Sequence, residues 1–262
     1  MKKIIQKSLF KNQVNWILIF VIVLGLTLNY TAAKETISFK TADSLEVTAD
    51  LYLTNPDKAP FIILFHQANW SRGEYLKIAP KLIKMGFNCM AVDQRSGDKV
   101  NGVLNETHRR ALEQGRAVEY LDAEPDILAA VRYVQKNFPQ SNLLIWGSSY
   151  SSSLVLKFAG KHTQWLSGVL AFSPGEYFGR FGASPTLIKD AARNIFCPVF
   201  ITSARDEFSN WDKIFEVIPT KEKESFIPES EGNHGSRALW EKFSDSPSYW
   251  KAVQLFLRRF KH

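Results

Sequence analysis

Residues 142–157 have the sequence Asn-Leu-Leu-Ile-Trp-Gly-Ser-Ser-Tyr-Ser-Ser-Ser-Leu-Val-Leu-Lys. An apolar strand pattern in this stretch passes through a Gly-Ser-Ser-Tyr-Ser turn directly into a helix pattern. Such a tight turn forces its central residue into a strained backbone conformation, and the helix N-terminus directs amide dipoles towards that residue. The stretch therefore predicts a turn that presents a nucleophilic serine. The alternative is that these serines only cap the N-terminus of the helix.

Ser149 is the candidate nucleophile among the serines of this turn. The turn requires very small residues two positions before and two positions after its centre, and Gly147 and Ser151 satisfy this requirement around Ser149. Centring the turn on Ser148 places the bulky Trp146 in the cramped position, and centring it on Ser151 leaves no glycine. The usual Gly-x-Ser-x-Gly pattern thus ends here in Ser151.

Apolar runs along the rest of the chain predict the sheet to which this turn belongs. Runs without polar alternation are typical of strands that are buried on both faces in a parallel sheet. An alternating stretch over residues 36–53 precedes them and predicts an antiparallel hairpin, and helix patterns separate them. We therefore expect one α/β domain over residues 34–262, with a mostly parallel, doubly wound sheet and helices on both faces. The apolar runs lie at residues 61–65, 89–92, 143–146, 169–172 and 199–202, with a weaker run near 224–227.

The first 33 residues differ in kind from this domain. Four lysines precede an apolar run at residues 16–28, which is followed by Thr31-Ala32-Ala33. As a helix this run spans about 20 Å, whereas a membrane's hydrocarbon core is about 30 Å thick. The pattern therefore predicts a signal peptide cleaved after Ala33 and a secreted or periplasmic protein. A retained membrane anchor formed by residues 16–28 is the alternative.

The charge of the chain argues against a nucleic-acid partner. Removing the four lysines and no acidic residue of the signal lowers the formal net charge from +7 to +3. No cluster of Lys and Arg with interleaved aromatic residues marks a nucleic-acid surface. We expect a small-molecule substrate instead, and the sequence does not predict the oligomeric state.

A base and an acid follow later strands in the order that a catalytic triad needs. A serine hydroxyl is a weak nucleophile and requires an adjacent base, usually a histidine held by a carboxylate. Asp206 lies just after the run at 199–202, and His234 lies between glycines after the last run. We predict Asp206 as the acid and His234 as the base. Glu207 is the alternative acid, and a helix cap and a surface histidine are the structural alternatives.

Backbone amides are the other requirement for acyl transfer, because they stabilise the developing oxyanion. One predicted donor is the amide of Tyr150, directly after the nucleophile. The second is expected in the turn after residues 61–65, where we favour the amide of Ala68 over that of Gln67, and His66 is expected to be structural. The long connections 94–124 and 173–186 follow strand ends and are predicted to line the pocket.

These motifs together resemble the α/β-hydrolase superfamily, near its dienelactone-hydrolase-like and esterase-like members. The resemblance extends over about residues 36–262. It implies triad roles for Ser149, Asp206 and His234 and a strand order of 1-2-4-3-5-6-7-8. By that order Cys89 and Cys197 lie on strands four places apart, too far for a disulfide, so both are expected to be buried free thiols. The motifs that carry the resemblance are His66-Gln67, Asp93-Gln-Arg-Ser-Gly97, Gly147-Ser-Ser-Tyr-Ser151, Asp206 and His234.

The chain departs from the family pattern at two positions. The family commonly has His-Gly where this chain has His66-Gln67, and its final motif glycine is Ser151 here. The resemblance nevertheless implies a serine hydrolase that cleaves an ester or related acyl bond of a small to medium substrate through an acyl-enzyme, and the N-terminal segment predicts that this enzyme is exported. Neither a metal nor an organic cofactor is expected. The alternatives are a non-catalytic binding protein of the same fold and a peptidase or thioesterase with the same triad.

Overall fold

The computed structural model describes residues 34–53 and 58–261. The predicted signal peptide, residues 1–33, and the alternative anchor, residues 16–28, lie outside the described residues. Within the described ranges, no helix is both long enough and apolar enough to cross a membrane.

Within the described ranges, eight strands form one sheet and two short strands form a separate hairpin. The sheet order is β1-β2-β4-β3-β7-β8-β9-β10, with β1–β2 and β2–β4 antiparallel and the remaining pairs parallel. When the β5–β6 hairpin is set aside, this is the order 1-2-4-3-5-6-7-8. The strands are β1 (Lys34–Lys40), β2 (Glu46–Tyr52), β3 (Phe61–Phe65), β4 (Asn88–Val92), β5 (Lys99–Val100), β6 (Val103–Leu104), β7 (Leu143–Ser148), β8 (Gly168–Phe172), β9 (Val199–Thr202) and β10 (Lys223–Phe226).

Helices cover both faces of the sheet, as predicted. One apolar core lies between the sheet and α3 to α6, and a second lies between the sheet and α1 and α7. Residues of β3 alternate between the two cores, which explains why this strand is apolar without interruption. The helices are α1 (Ala79–Lys84), α2 (Glu106–Glu113), α3 (Glu124–Asn137), α4 (Tyr150–His162), α5 (Leu187–Ala192), α6 (Asp212–Val217) and α7 (Ser246–Leu257).

The two cysteines are free buried thiols, in agreement with the prediction. Cys89 lies on β4, and Cys197 lies just before β9. The sheet order places β3, β7 and β8 between these two strands. Burial raises the pKa of the Cys197 thiol to about 11, so it stays protonated at neutral pH.

The long connection after β4 is anchored to the domain by a buried arginine. The Arg95 guanidinium donates to Asp126 on α3 at 2.8 Å and to Asp43 in the β1–β2 turn at 2.9 Å. The connection then contains the β5–β6 hairpin and α2, whose N-terminus is capped by the Asn105 side chain. Since β3, β4, β7, β8 and β9 are parallel, the segments that follow them meet at one edge of the sheet.

Candidate active site

Ser149 occupies a strained turn between β7 and α4. Its φ is 58° and its ψ is −124°, a conformation that few residues other than glycine adopt. Gly147 is required beside it, because a Cβ at that position would lie 2.4 Å from the Ser151 carbonyl oxygen and 2.5 Å from the Ser152 Cα. Both contacts are with backbone atoms, which cannot rotate away. The steric argument that selects Ser149 from the sequence is therefore consistent with the geometry.

Ser151, which replaces the family's glycine, has a structural role of its own. Its side chain is fully buried, and its hydroxyl accepts a hydrogen bond from the Ser148 amide at 2.9 Å. The same hydroxyl lies 2.8 Å from the Phe65 carbonyl oxygen at the end of β3 and donates to it. The serine thus joins the turn after β7 to the neighbouring strand, and a glycine would lack this link.

His234 is held by a carboxylate from the segment after β9. Its Nδ1 is hydrogen-bonded to Glu207 Oε1. The second carboxylate oxygen, Oε2, accepts from the Ser173 hydroxyl at 2.7 Å and from the Ala204 amide at 3.0 Å. Burial alone would raise the pKa of Glu207, but the hydrogen bonds from His234 and Ser173 outweigh it and lower the pKa. Glu207 is therefore ionised at neutral pH and able to stabilise a protonated imidazole.

The structure corrects the prediction for Asp206. Its side chain is exposed, whereas the adjacent Glu207 is half-buried and contacts His234. Both residues lie in a 3-10 helix, Arg205–Asn210, in which consecutive side chains point about 120° apart. A shift of one residue therefore turns a side chain away from the site. The alternative acid, Glu207, is the residue that meets His234.

The predicted oxyanion donors lie in two turns that face the same edge of the sheet. Tyr150 is the first residue of α4, so its amide has no carbonyl partner within that helix. The Gln67 amide is engaged, because it donates to Glu74 Oε2 at 2.8 Å. Neither the Tyr150 amide nor the Ala68 amide makes a hydrogen bond to another described residue. Of the two candidates in the first turn, Ala68 is therefore the one with a free donor.

His66, which precedes this turn, is structural, as expected. Its Nδ1 donates to the Gln67 carbonyl at 2.8 Å, and its Nε2 accepts from the Gln94 amide at 3.0 Å. The ring is fully buried, and burial lowers its pKa to about 4. A neutral imidazole with both nitrogens engaged has no capacity left to act as a second base.

The segment after β8 connects the turn of Ser149 to Glu207 and to the loop of His234. The Ser149 amide donates to the Phe172 carbonyl at 2.8 Å, and the next residue, Ser173, accepts from the Gly235 amide at 2.8 Å. Among the described residues no hydrogen bond joins the Ser149 hydroxyl to the His234 ring. The turn of Ser149 and the loop of His234 are thus connected through the backbone segment that contains Phe172 and Ser173.

A cavity of about 540 Å³ lies beside His234. Glu207 and Asn233 contribute to its wall, together with the cationic side chains of Arg205 and Arg237. Within the described ranges, no group of three His, Cys, Asp or Glu side chains is placed to hold a metal ion. The volume is in the range of pockets that bind small molecules.

The same architecture occurs in proteins of known structure. No family model and no curated protein match the sequence. An esterase from Pyrococcus furiosus superposes with a TM-score of 0.67 at 19% identity, over 87% of this chain and 93% of that one. Dienelactone hydrolase from Anabaena variabilis gives 0.69 at 12% identity, over 88% and 99%. An acylaminoacyl peptidase from Pyrococcus horikoshii gives 0.63 at 18% identity, over 87% of this chain and 42% of that one.

The chain has the α/β-hydrolase fold. The predicted fold class is therefore confirmed. The resemblance to this superfamily is confirmed at the level of the fold. In an α/β-hydrolase the nucleophile, acid and base follow different strands at one edge of the sheet. Ser149 after β7, Glu207 after β9 and His234 after β10 have this placement here.

Two side chains of this candidate site were not anticipated from the sequence. Ser173 is fully buried with a φ of 55°, and it links Glu207 to the histidine loop. Its position directly after a predicted strand was the only available signal. Glu74 lies in a short 3-10 helix before α1 and contacts the Gln67 amide. Nothing in its local sequence distinguishes it from an exposed glutamate.

Proposed function

We propose that this protein is a serine hydrolase that cleaves an ester bond of a small to medium substrate, with Ser149 as nucleophile, His234 as base and Glu207 as acid. The observation that carries the proposal is the Glu207–His234 pair, which lies at the same sheet edge as a serine in a strained strand-to-helix turn. The esterases among proteins of this fold support the same reaction class.

The contacts of His234 define the direction of proton transfer. Because Nδ1 faces the Glu207 carboxylate, it carries the proton, and the lone pair of Nε2 is available to a substrate-bound serine. Ser149 Oγ attacks the carbonyl carbon while its proton passes to Nε2. The imidazolium that forms is stabilised by the negative charge of Glu207.

The free amides and His234 account for the remaining steps of the proposed reaction. Negative charge on the former carbonyl oxygen is stabilised by the amides of Tyr150 and Ala68. The carbon–oxygen bond to the alcohol then breaks as His234 returns the proton to the leaving oxygen, which yields an acyl-enzyme. Water attacks this ester while His234 accepts the water's proton. His234 then passes this proton to Ser149 Oγ as the bond between Oγ and the acyl carbon breaks, which releases the carboxylic acid and restores Ser149.

Aromatic side chains from the two long connections meet beside the proposed oxyanion site. Tyr120 stacks on Tyr150 with ring centroids 4.5 Å apart, and Phe181 meets Tyr120 edge-on at 5.2 Å. Tyr177 donates to the Ser173 carbonyl at 2.7 Å; burial raises the pKa of its phenol, and the nearby Ser149 hydroxyl opposes the rise. These contacts support the proposal that residues 94–124 and 173–186 line an acyl pocket.

Export directed by residues 1–33 stays a prediction.

Covalent labelling tests the proposed nucleophile. A fluorophosphonate probe should label the wild-type protein and should not label the Ser149→Ala variant. Ser152→Ala is the matched control, because Ser152 lies nearby in the first turn of α4 and its hydroxyl donates to the Ser149 carbonyl. Equal labelling of the wild type and the Ser149→Ala variant would show that another residue reacts. Absence of labelling in the folded wild type would favour the non-catalytic alternative.

A substrate panel tests the bond type. Short and long acyl esters, thioesters and amides should be compared by kcat/KM in the wild type, with Ser149→Ala as the blank. We expect short to medium acyl esters to give the highest values. Higher values for amides or thioesters would replace the ester proposal with the peptidase or thioesterase alternative.

A further inference from the structure

Glu74 is a buried carboxyl group without a role in the reaction just proposed. Its side chain is fully buried in the 3-10 helix Arg72–Tyr75, which follows β3. Burial is the largest influence on the group and raises its pKa to about 8, while the charge of Arg237 and the hydrogen bonds it accepts act in the opposite direction. Burying a carboxyl group costs several kcal/mol without compensating bonds. Packing alone would be served better by an apolar side chain.

The hydrogen bonds of Glu74 reach three turns at once. Oε2 accepts from the Gln67 amide at 2.8 Å, in the turn that carries the Ala68 amide. Oε1 accepts from the Ser148 hydroxyl at 2.7 Å, directly before the proposed nucleophile. The Ser148 oxygen in turn accepts from the Ser236 amide at 2.8 Å, two residues after His234.

The three connected turns come from distant parts of the chain. They carry, respectively, the proposed second oxyanion donor, the nucleophile and the base. The hydrogen bonds run in one consistent direction, from the Ser236 amide through the Ser148 hydroxyl to the carboxyl of Glu74. Tyr75 and Trp146 extend the network, since the Trp146 indole donates to the Ser236 hydroxyl at 2.8 Å and Tyr75 donates to the Phe65 carbonyl at 2.7 Å.

We propose that Glu74 is a positioning residue, which fixes the oxyanion turn, the nucleophile turn and the histidine loop relative to one another. This inference rests on the proposed hydrolase function. By engaging the Gln67 amide, Glu74 also orients the turn so that the next amide, that of Ala68, is the one left free for the oxyanion.

Two substitutions of similar size separate positioning from simple packing. Glu74→Met fills the space but leaves the Gln67 amide and the Ser148 hydroxyl without an acceptor. We expect kcat to fall about 10- to 100-fold with KM within about threefold, because the misplaced groups act mainly in the transition state. Glu74→Gln keeps an acceptor for the Gln67 amide and a polar partner for Ser148, so it should recover most of that loss.

Ser148→Ala provides a second route should Glu74→Met fold poorly. It removes only the hydroxyl that links Glu74 to the Ser236 amide, and it leaves the bond to Gln67 in place. We expect kcat to fall about fivefold to 20-fold. In the double variant with Glu74→Gln the losses should be less than multiplicative, because both changes act on one chain of hydrogen bonds.

The matched control is Asp126→Asn, a second fully buried carboxyl group. Its hydrogen bonds among the described residues go to Arg95 and to none of the three turns. This variant should lower the melting temperature while its kcat stays within about twofold of wild type.

The outcomes distinguish this inference from the proposed function. If the fluorophosphonate labels wild type and the folded Glu74→Met and Ser148→Ala variants react at the wild-type rate, positioning by Glu74 is excluded and the hydrolase proposal stands. If Glu74→Met and Asp126→Asn lose stability equally and also lose kcat equally, then Glu74 has only a structural role. If the wild type is not labelled, both proposals fail.

Discussion

The turn after β7 and the turn after β9 each present one side chain to the site, but different kinds of constraint place them. The first is fixed by steric exclusion of local backbone, since a Cβ at Gly147 would lie 2.4 Å from the Ser151 carbonyl oxygen. The second is fixed by a distant partner, because Glu207 is selected over Asp206 by its contacts with His234 and Ser173. Local exclusion is visible in a sequence, whereas selection by distant partners is not.

The largest expected difference is between the two neighbouring acids of the second turn. Glu207→Gln should lower kcat about 10³- to 10⁴-fold, because an amide no longer stabilises the imidazolium or holds its Nδ1 proton. Asp206→Asn should leave kcat within about twofold, since the Asp206 side chain is exposed. Steady-state kinetics on the best ester of the panel compare the two variants. A larger loss in Asp206→Asn would restore the sequence-based assignment.

Gly147→Ala tests the steric constraint of the first turn. The added Cβ meets backbone on α4, so the turn must shift and move the Ser149 side chain from its position. We expect kcat to fall at least about 100-fold and stability to fall by a few kcal/mol. Fluorophosphonate labelling rates and thermal unfolding measure the two effects. Near-normal labelling in this variant would contradict the view that local exclusion fixes the nucleophile.

Ser173→Ala removes one of the contacts that position Glu207 but leaves Glu207 itself in place. It deletes the hydroxyl that donates to Glu207 Oε2 and accepts from the Gly235 amide. We expect kcat to fall about tenfold. The Ser173 hydrogen bond helps to lower the pKa of Glu207, so its loss should raise that pKa. Activity should then decline at a higher pH on acidification than in wild type.

The pH dependence of kcat, measured from about pH 4 to pH 8, checks the Ser173 prediction. The same lowered pKa also affects folding stability. In wild type the ionised Glu207 stabilises the fold at every pH above the pKa that Glu207 has in the unfolded chain, and this stabilisation is lost as the pH falls through the lower pKa of the folded state. Ser167→Ala is the control, because Ser167 precedes β8 and therefore lies at the opposite end of that strand from Ser173. An unchanged acidic limb in Ser173→Ala would separate Ser173 from the function of Glu207.

A smaller effect than those of Gly147→Ala and Ser173→Ala is expected for Ser151→Gly, which restores the usual motif glycine. The variant loses the hydroxyl that bonds the Ser148 amide and the Phe65 carbonyl, and it gains backbone freedom in the unfolded state. Stability should fall by about 1–2 kcal/mol while kcat changes less than about fivefold. Chemical denaturation measures the first quantity. A large loss of kcat would mean that Ser151 positions Ser149 as strictly as Gly147 does.

The sequence contained enough to predict the sheet and the strained turn in which Ser149 lies. Uninterrupted apolar runs gave the parallel strands because β3, β4, β7, β8 and β9 are covered on both faces. The size rule around Ser149 is local, so Gly147 and Ser151 identified the centre of the turn. His234 followed from its place after the last strand, which needs only the order of the elements.

The acid and the buried network depend on information that a single sequence does not contain. Choosing Glu207 over Asp206 requires the phase of the 3-10 helix Arg205–Asn210, and that phase is set by the Ser173 and His234 contacts. Ser173 and Gly235 are separated by 62 positions, and Ser148 and Ser236 by 88. No periodicity links residues so far apart.

The sheet order also gives the two ends of the proposed triad unequal support. Ser149 follows β7 in the middle of the sheet, whereas His234 follows β10, which lies at its edge and pairs with β9. The proposed base therefore depends on a strand that is held from one side, while the proposed nucleophile follows a strand that is held from both sides. Under the proposed function, loss of the β9–β10 pairing would leave the serine turn folded but without its proton acceptor.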